Sequence, residues 1–213
     1  MMLEKLRQEV WACNLELPKN DLVKMTSGNV SGRDPEANLV VIKPSGYRYE
    51  QLTPENLVVV DLAGKVLEGD LKPSMDTATH LYIYRHRPDV LGVAHTHSVF
   101  ASVFAARGKP IPPCLTASAM LGGKVPLGGF VPIGGEAIGR EIVDKIGKAL
   151  AIVMQNHGVF TIGNSATQAT KIAVEVEDIA KITYYALLAG DPIILTEEQI
   201  EITADMYRHD YGQ

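Results

Sequence analysis

Three histidines stand where they can share a cation. His95 and His97, in His95-Thr96-His97, close an apolar run that reads as a strand over Val90–His97. Residues two apart on a strand point to the same face. His157 lies in Asn156-His157-Gly158, a polar corner after a second apolar run. Glycine there permits close backbone approach or a positive φ. Three neutral imidazoles plus an open position are the usual donor set of catalytic zinc. The plain alternatives are half-buried histidines bonded to backbone carbonyls and, at 156–158, an ordinary hairpin turn. Asp76 is the fourth candidate. Either it caps a helix or favours its dipole, or it stands beside the metal and moves a proton. His80 and His86 are six apart on one helix and do not share a face. With His209 near the C-terminus, they read as surface or core histidines.

A second group of residues suits an anion. Thr26-Ser27-Gly28-Asn29-Val30-Ser31-Gly32 carries two glycines and four polar side chains. Lys43-Pro44-Ser45-Gly46 adds a cation, a hydroxyl and a glycine, and Lys72-Pro73-Ser74 repeats that chemistry before a helix start. Backbone N–H groups, hydroxyls and a helix N-terminus together fit a phosphate. Each piece alone reads equally as a turn, and the reading requires that they converge.

The elements that must position these residues follow from periodicity. Leu3, Leu6, Val10 and Leu17 recur at helical spacing, so Leu3–Leu17 reads as a helix ended by Pro18. Leu39–Ile42 and Leu57–Leu62 are valine-rich and read as strands, and Ala63-Gly64-Lys65 turns the second into Val66–Glu68. A helix runs from Ser74 or Asp76 to about Arg87. Ser98–Arg107 and Glu136–Ile146 read as helices, with a Gly- and Pro-rich loop over Pro110–Gly135 between them. Ala149–Gln155 and Val159–Ile162 read as a hairpin, and Ala166–Ala189 and Glu197–Tyr207 as the last helices. Without a repeat or linker, the 213 residues read as one α/β domain spanning 1–213.

Composition narrows the partners. Hydrophobic residues make up 46% and charged residues 21%, as in ordinary soluble proteins. With a net charge of −5 and no basic tract, nucleic acid is not an expected partner. The N-terminus lacks the apolar run of a signal peptide, and no stretch approaches the length of a membrane span. Two cysteines, Cys13 and Cys114, form no disulfide framework and suit a reducing cytosol. A cytoplasmic protein is the expectation.

Taken together, the motifs resemble the class II aldolase/adducin family, which includes L-fuculose-phosphate aldolase and L-ribulose-5-phosphate 4-epimerase. The matching strings are Gly28–Ser31, Lys43–Gly46, Lys72–His80, His95–Ser98, Gln155–Gly158 and Tyr211–Gln213, in the family's order and over nearly the whole chain. The resemblance implies a three-layer α/β/α fold around a central, mainly antiparallel sheet. It implies zinc, or another divalent metal such as manganese or cobalt, at His95, His97 and His157 with Asp76 beside it. It also implies contacts to a sugar phosphate from Gly28, Asn29, Ser45, Gly46 and Ser74, an active-site role for Tyr211, and a homotetramer with sites between subunits.

Both reactions of the family are retro-aldol cleavages of a ketose phosphate beside its carbonyl, with the metal as Lewis acid. The epimerase then turns the aldehyde and rebuilds the bond, which requires proton handling on both faces. Three positions depart from the pattern. Met120 falls at or near the epimerases' second catalytic aspartate, Thr116 takes the place of an aldolase tyrosine, and Met75 replaces the second of two serines at the phosphate site. The missing far-side aspartate and the chain length point to an aldolase. Asp76 itself and the Tyr211-Gly212-Gln213 ending are epimerase-like. A non-catalytic adducin-like module is the third reading, and the three retained histidines stand against it.

Overall fold

The computed structural model describes residues 1–209. Alternating side chains decide its layers. In β2 (Leu39–Ile42) and β3 (Val58–Asp61), Val40, Ile42, Val58 and Val60 enter one core, whereas Val41 and Val59 enter another. Strands buried on both faces read as continuous apolar runs, which is why these two were visible in the sequence. Eight strands form a single sheet in the order β4-β3-β2-β1-β5-β8-β7-β6. The others are β1 (Asn29–Asp34), β4 (Val66–Glu68), β5 (Gly92–Thr96), β6 (Leu127–Gly128), β7 (Ala151–Met154) and β8 (Val159–Gly163). Every pairing is antiparallel except that of β6 with β7.

Helices cover both faces. On one side α2 (Thr77–His86) and α4 (Ala137–Ile146) set Leu81, Ile83, Tyr84, Ile138 and Ile142 against Val93, Ile152 and Phe160. On the other, α1 (Glu4–Lys19), α3 (Val99–Ala106) and α5 (Ala166–Ala189) bury Val10, Leu17, Phe104, Ala169, Ala173 and Val176. The result is the expected α/β/α sandwich. A final helix, α6 (Glu197–His209), packs on a 3₁₀ turn over Thr116–Leu121 within the long middle loop. No helix among the described residues is long and apolar enough to cross a membrane.

The differences from the sequence reading are local. Pro18 sits inside the last turn of α1, which ends with the Asn20 N–H on Glu16 O at 3.1 Å. β1 was not foreseen as a strand, although it lies at the centre of the sheet between β2 and β5. Its sequence, Asn-Val-Ser-Gly-Arg-Asp, hides it. Asn29 and Ser31 turn polar groups towards α2, and Gly32 leaves room for α1, where a Cβ would stand 2.8 Å from Leu6 Cδ1 and 2.9 Å from Val10 Cγ2.

Candidate metal centre

β5 runs through the middle of the sheet and delivers His95 near its end, paired with Asn29 of β1 and Phe160 of β8. His95 is 2% exposed, and its Nδ1 lies 2.9 Å from the Val159 carbonyl. A carbonyl only accepts, so Nδ1 carries the hydrogen and Nε2 keeps its lone pair for the site. Phe160 stacks on the ring at 4.1 Å and fixes its plane. His97 follows one residue beyond the strand. Its backbone N–H bonds to Leu22 O at 3.2 Å, and its Nε2 stands 3.0 Å from that of His95. Two nitrogens bound to one zinc lie about 3.3 Å apart, so this spacing suits a shared ion.

His157 arrives from the β7–β8 corner. The positive φ of this corner belongs to Asn156, not to the glycine. Gly158 meets the other need anticipated from the sequence: a Cβ there would lie 2.5 Å from Thr96 O and 2.7 Å from His97 Cδ2. Only glycine lets the corner close against the other two histidines. The ligand nitrogens of His95, His97 and His157 all lie within 4.8 Å of one another. His95 is buried, His157 half-buried and His97 exposed, so the group has a closed floor and an open side. Burial pushes all three imidazoles below their ordinary pKa, with the charge of Asp76 pulling the other way. Neutral rings with free lone pairs are what a divalent metal of intermediate softness requires.

Asp76 stands outside that group of ligand atoms, yet its charge acts on all three histidines. It occupies the position before α2 without making a side-chain cap. The capping work falls to Ser74, whose carbonyl accepts from Thr77 N and Oγ1 and whose Oγ accepts from Asp76 N at 3.3 Å. The Asp76 carboxylate is therefore free for another use, and Asn29 Nδ2 holds its Oδ2 at 2.7 Å. Burial raises its proton affinity. The neighbouring histidines and the Asn29 bond outweigh this and leave the carboxyl below its usual pKa.

The three anion-suited pieces do converge. Lys43–Ser45 and Lys72–Ser74 run side by side, with Ser45 N on Lys72 O at 2.8 Å, Ser74 N on Lys43 O at 3.1 Å, and Pro44 bridged to Pro73. Asn29 Nδ2 also donates to Ser74 Oγ at 3.1 Å, which ties the first piece to the third. Gly28 packs so closely on the His95 carbonyl that a Cβ would stand 2.8 Å from it. Gly46 is exposed, with φ +64° and open space around it. Lys43, the cation of the second piece, does not stand open to solvent. It is 1% exposed, donates to Thr26 O at 3.2 Å, and lies over the Tyr49 ring at 4.8 Å. Burial lowers its pKa to about 8. Lys43 and Tyr49, whose hydroxyl donates to the Ser27 and Gly28 carbonyls, brace the 26–28 loop from beneath.

Two features lay beyond the sequence reading. Glu177 on α5 accepts the Phe100 and Ala101 amides at 2.9 and 3.0 Å and so fixes the start of α3 just after His97. His80, expected to be a core or surface histidine, is in the core and is an electrostatic neighbour of Asp76. Its spacing of four from Asp76 was the available signal. Met120 lines a groove of about 1580 Å³ with residues of α1, α5 and α6; none of the three ligand histidines borders it. Thr116 is exposed. Tyr211 lies outside the described residues.

A model of the class II aldolase and adducin N-terminal domain family matches residues 8–184. The chain belongs to this family. Among solved structures, this class II aldolase-family chain is similar to L-fuculose 1-phosphate aldolase, at 29% identity over 96% of each chain with a TM-score of 0.88. It is also similar to YgbL of Klebsiella pneumoniae, described as aldolase, epimerase or decarboxylase without a choice among them. There the identity is 25%, over 95% of this chain and 99% of that one, with a TM-score of 0.83. An L-fuculose-1-phosphate aldolase of Thermus thermophilus, at 23% identity and a TM-score of 0.74 over 89% of this chain and 98% of that one, shares the fold. The fold expected from the motifs is therefore the fold found. Class II aldolases depend on a divalent metal, and His95, His97 and His157 are a group that can hold one.

Proposed function

We propose that this class II aldolase-family chain is a zinc-dependent lyase. In this reading it cleaves a small ketose phosphate of the L-fuculose-1-phosphate type into dihydroxyacetone phosphate and an aldehyde. The observation that carries it is the pairing of three neutral, converging imidazoles with a carboxylate that caps no helix. His95, His97 and His157 would hold the ion, which supplies Lewis acidity to the ketose carbonyl. The donor set also accommodates manganese or cobalt.

The protein's own groups do the rest in this reading. Gly28, Asn29, Ser45, Gly46 and Ser74 grip the phosphate through backbone N–H groups and hydroxyls, over a loop braced by Lys43. Asp76 takes the proton of the hydroxyl on the carbon that departs. That carbon leaves as the aldehyde, and the electron pair of the broken C–C bond remains on the carbon next to the carbonyl. The phenol of Tyr211 donates a hydrogen bond to the oxygen of the departing aldehyde, and the proton taken up by Asp76 returns to the carbon that keeps the electron pair, which completes dihydroxyacetone phosphate. Assembly as a cytoplasmic homotetramer, with the tail reaching a neighbouring subunit, belongs to the same reading.

The deciding experiment is product analysis with L-fuculose 1-phosphate and L-ribulose 5-phosphate side by side. Release of dihydroxyacetone phosphate supports the aldolase. Conversion of the pentulose phosphate to its 4-epimer without release of fragments replaces it with the epimerase. A protein that carries metal and turns over neither ketose overturns both.

A further inference from the structure

α3 lies between two of the three histidines and is tied to both. At its start the chain passes from His97 through Ser98 directly into Val99. At its other end the Ala105 carbonyl accepts the Asn156 N–H at 3.2 Å, so the helix holds the corner from which His157 projects. His95 depends on neither end. It is fixed within β5 by its neighbours on β1 and β8, by the Val159 carbonyl and by the Phe160 ring. Apart from the bond between His97 N and Leu22 O, the seat of α3 therefore governs where His97 and His157 stand relative to His95.

Apolar packing alone does not fix that seat. Ala101, Phe104 and Ala105 pack with Val176, Ile179 and Ala180 of α5 and with Val153 and Val159 of the sheet. Such contacts press the helix down but have no direction of their own, and the alanines at 101 and 105 give this face little relief. The first N–H groups of a helix also need acceptors from outside it. Ser98, in the capping position, makes no side-chain cap. Glu177, near the middle of α5, does so instead. One carboxylate oxygen takes Phe100 N at 2.9 Å and the other takes Ala101 N at 3.0 Å. Two charge-assisted bonds to one planar group are strong and directional, and the carboxylate meets the positive end of the α3 dipole. They resist sliding of α3 along its axis, which the apolar face does not.

We infer that Glu177 is a positioning residue of the metal centre: by fixing α3 along its axis, it sets His97 and His157 where a divalent cation held by His95 can reach them. It needs no contact with the ion or with a substrate. The inference rests on the reading that these three histidines hold the metal. It adds a residue of α5, a helix that carries none of the ligands, to those that decide the affinity.

The test uses the full chain and Co²⁺, whose visible absorption reports the geometry of its ligands, in competition with a chelator. Glu177→Gln keeps the size of the side chain and loses its charge and one of its two acceptors. It should lower Co²⁺ affinity about 10–100-fold and change the absorption of the bound ion. Glu177→Asp keeps the charge and both acceptors on a shorter stem, and should fall between Glu177→Gln and the wild type. Ile179→Val, on the same helix and in the same core, is the control for stability alone. Its melting temperature should fall, while affinity and absorption, read well below melting, stay those of the wild type. In metal-free protein the ring resonances of His97 and His157 should move in Glu177→Gln. Wild-type affinity and absorption in folded Glu177→Gln overturn the inference, and so does an equal loss of affinity in Ile179→Val. Should Glu177→Gln not fold, Glu177→Asp carries the test on the same criteria. Failure of the wild type to bind Co²⁺ overturns the metal centre itself, whereas unmoved rings in metal-free Glu177→Gln overturn only the role of Glu177.

Discussion

At the residue scale the centre separates holding a metal from moving a proton. His97 is the exposed member of the three imidazoles, so its loss should disturb folding least. We expect His97→Ala to keep its melting temperature within a few degrees while metal content and turnover both vanish; full metal occupancy in that variant would remove His97 from the ligand set. Asp76 should behave differently. Asp76→Asn keeps the shape that Asn29 meets and discards the base. The rate should fall by about 10²–10⁴-fold with metal largely retained. A normal rate, or a change in melting temperature alone, would return Asp76 to structural duty.

The strands and helices explain what could be foreseen. His95, His97, His157 and Gly158 were legible because their chemistry and spacing are local: two residues apart on one strand, and a glycine beside a histidine. β2 and β3 were legible because they are buried on both faces. β1 was not, because its partners define it. Asn29 and Ser31 become inward-facing only when α2 lies over them, and Gly32 is a strand residue only because α1 presses on it. Lys43 reads as a cation suited to a phosphate until Tyr49 and the Thr26 carbonyl close around it. The glycines provide a test at this scale. A Cβ at Gly92 of β5 would meet the Ser165 carbonyl oxygen at 2.0 Å, which is backbone and cannot turn away. At Gly32 the obstacles are the ends of flexible side chains. Urea denaturation should show Gly92→Ala costing about 2–4 kcal/mol and Gly32→Ala about 1 kcal/mol. Equal costs would mean that α5 is not held against β5 as described.

For the whole molecule, the buried histidines make stability depend on acidity. Burial pushes His80 down to about 4, against about 6.5 in an unfolded chain. Between these values the unfolded chain takes up a proton that the folded chain refuses. The stability is complete above pH 6.5 and is lost as pH falls towards 4, by about 3 kcal/mol for this group. His95, His97 and His157 shift in the same direction and add to the loss. Urea midpoints at pH 7 and 4.5 should therefore differ less in His80→Leu than in the wild type; an identical difference would mean that His80 titrates normally. The end of the chain provides a second test at this scale. Deleting Tyr211–Gln213 should lower turnover at unchanged metal content and, if the tail crosses an interface, loosen the assembly in sedimentation. Wild-type turnover after the deletion would move the search for the donor to the aldehyde oxygen to the Pro110–Gly135 loop. One further property follows from the bond between His95 Nδ1 and the Val159 carbonyl. The two residues are far apart in sequence, and such contacts form late and slowly. Were β8 to pair one residue out of step with β5, every side chain would turn over. Phe160 would leave the His95 ring, and that carbonyl would be out of reach. An ion that needs all three rings would find no seat on a misregistered pair of strands, and it would stabilise only the form it binds. A metal held by the three rings would therefore favour the native pairing of β5 with β8 over the misregistered one.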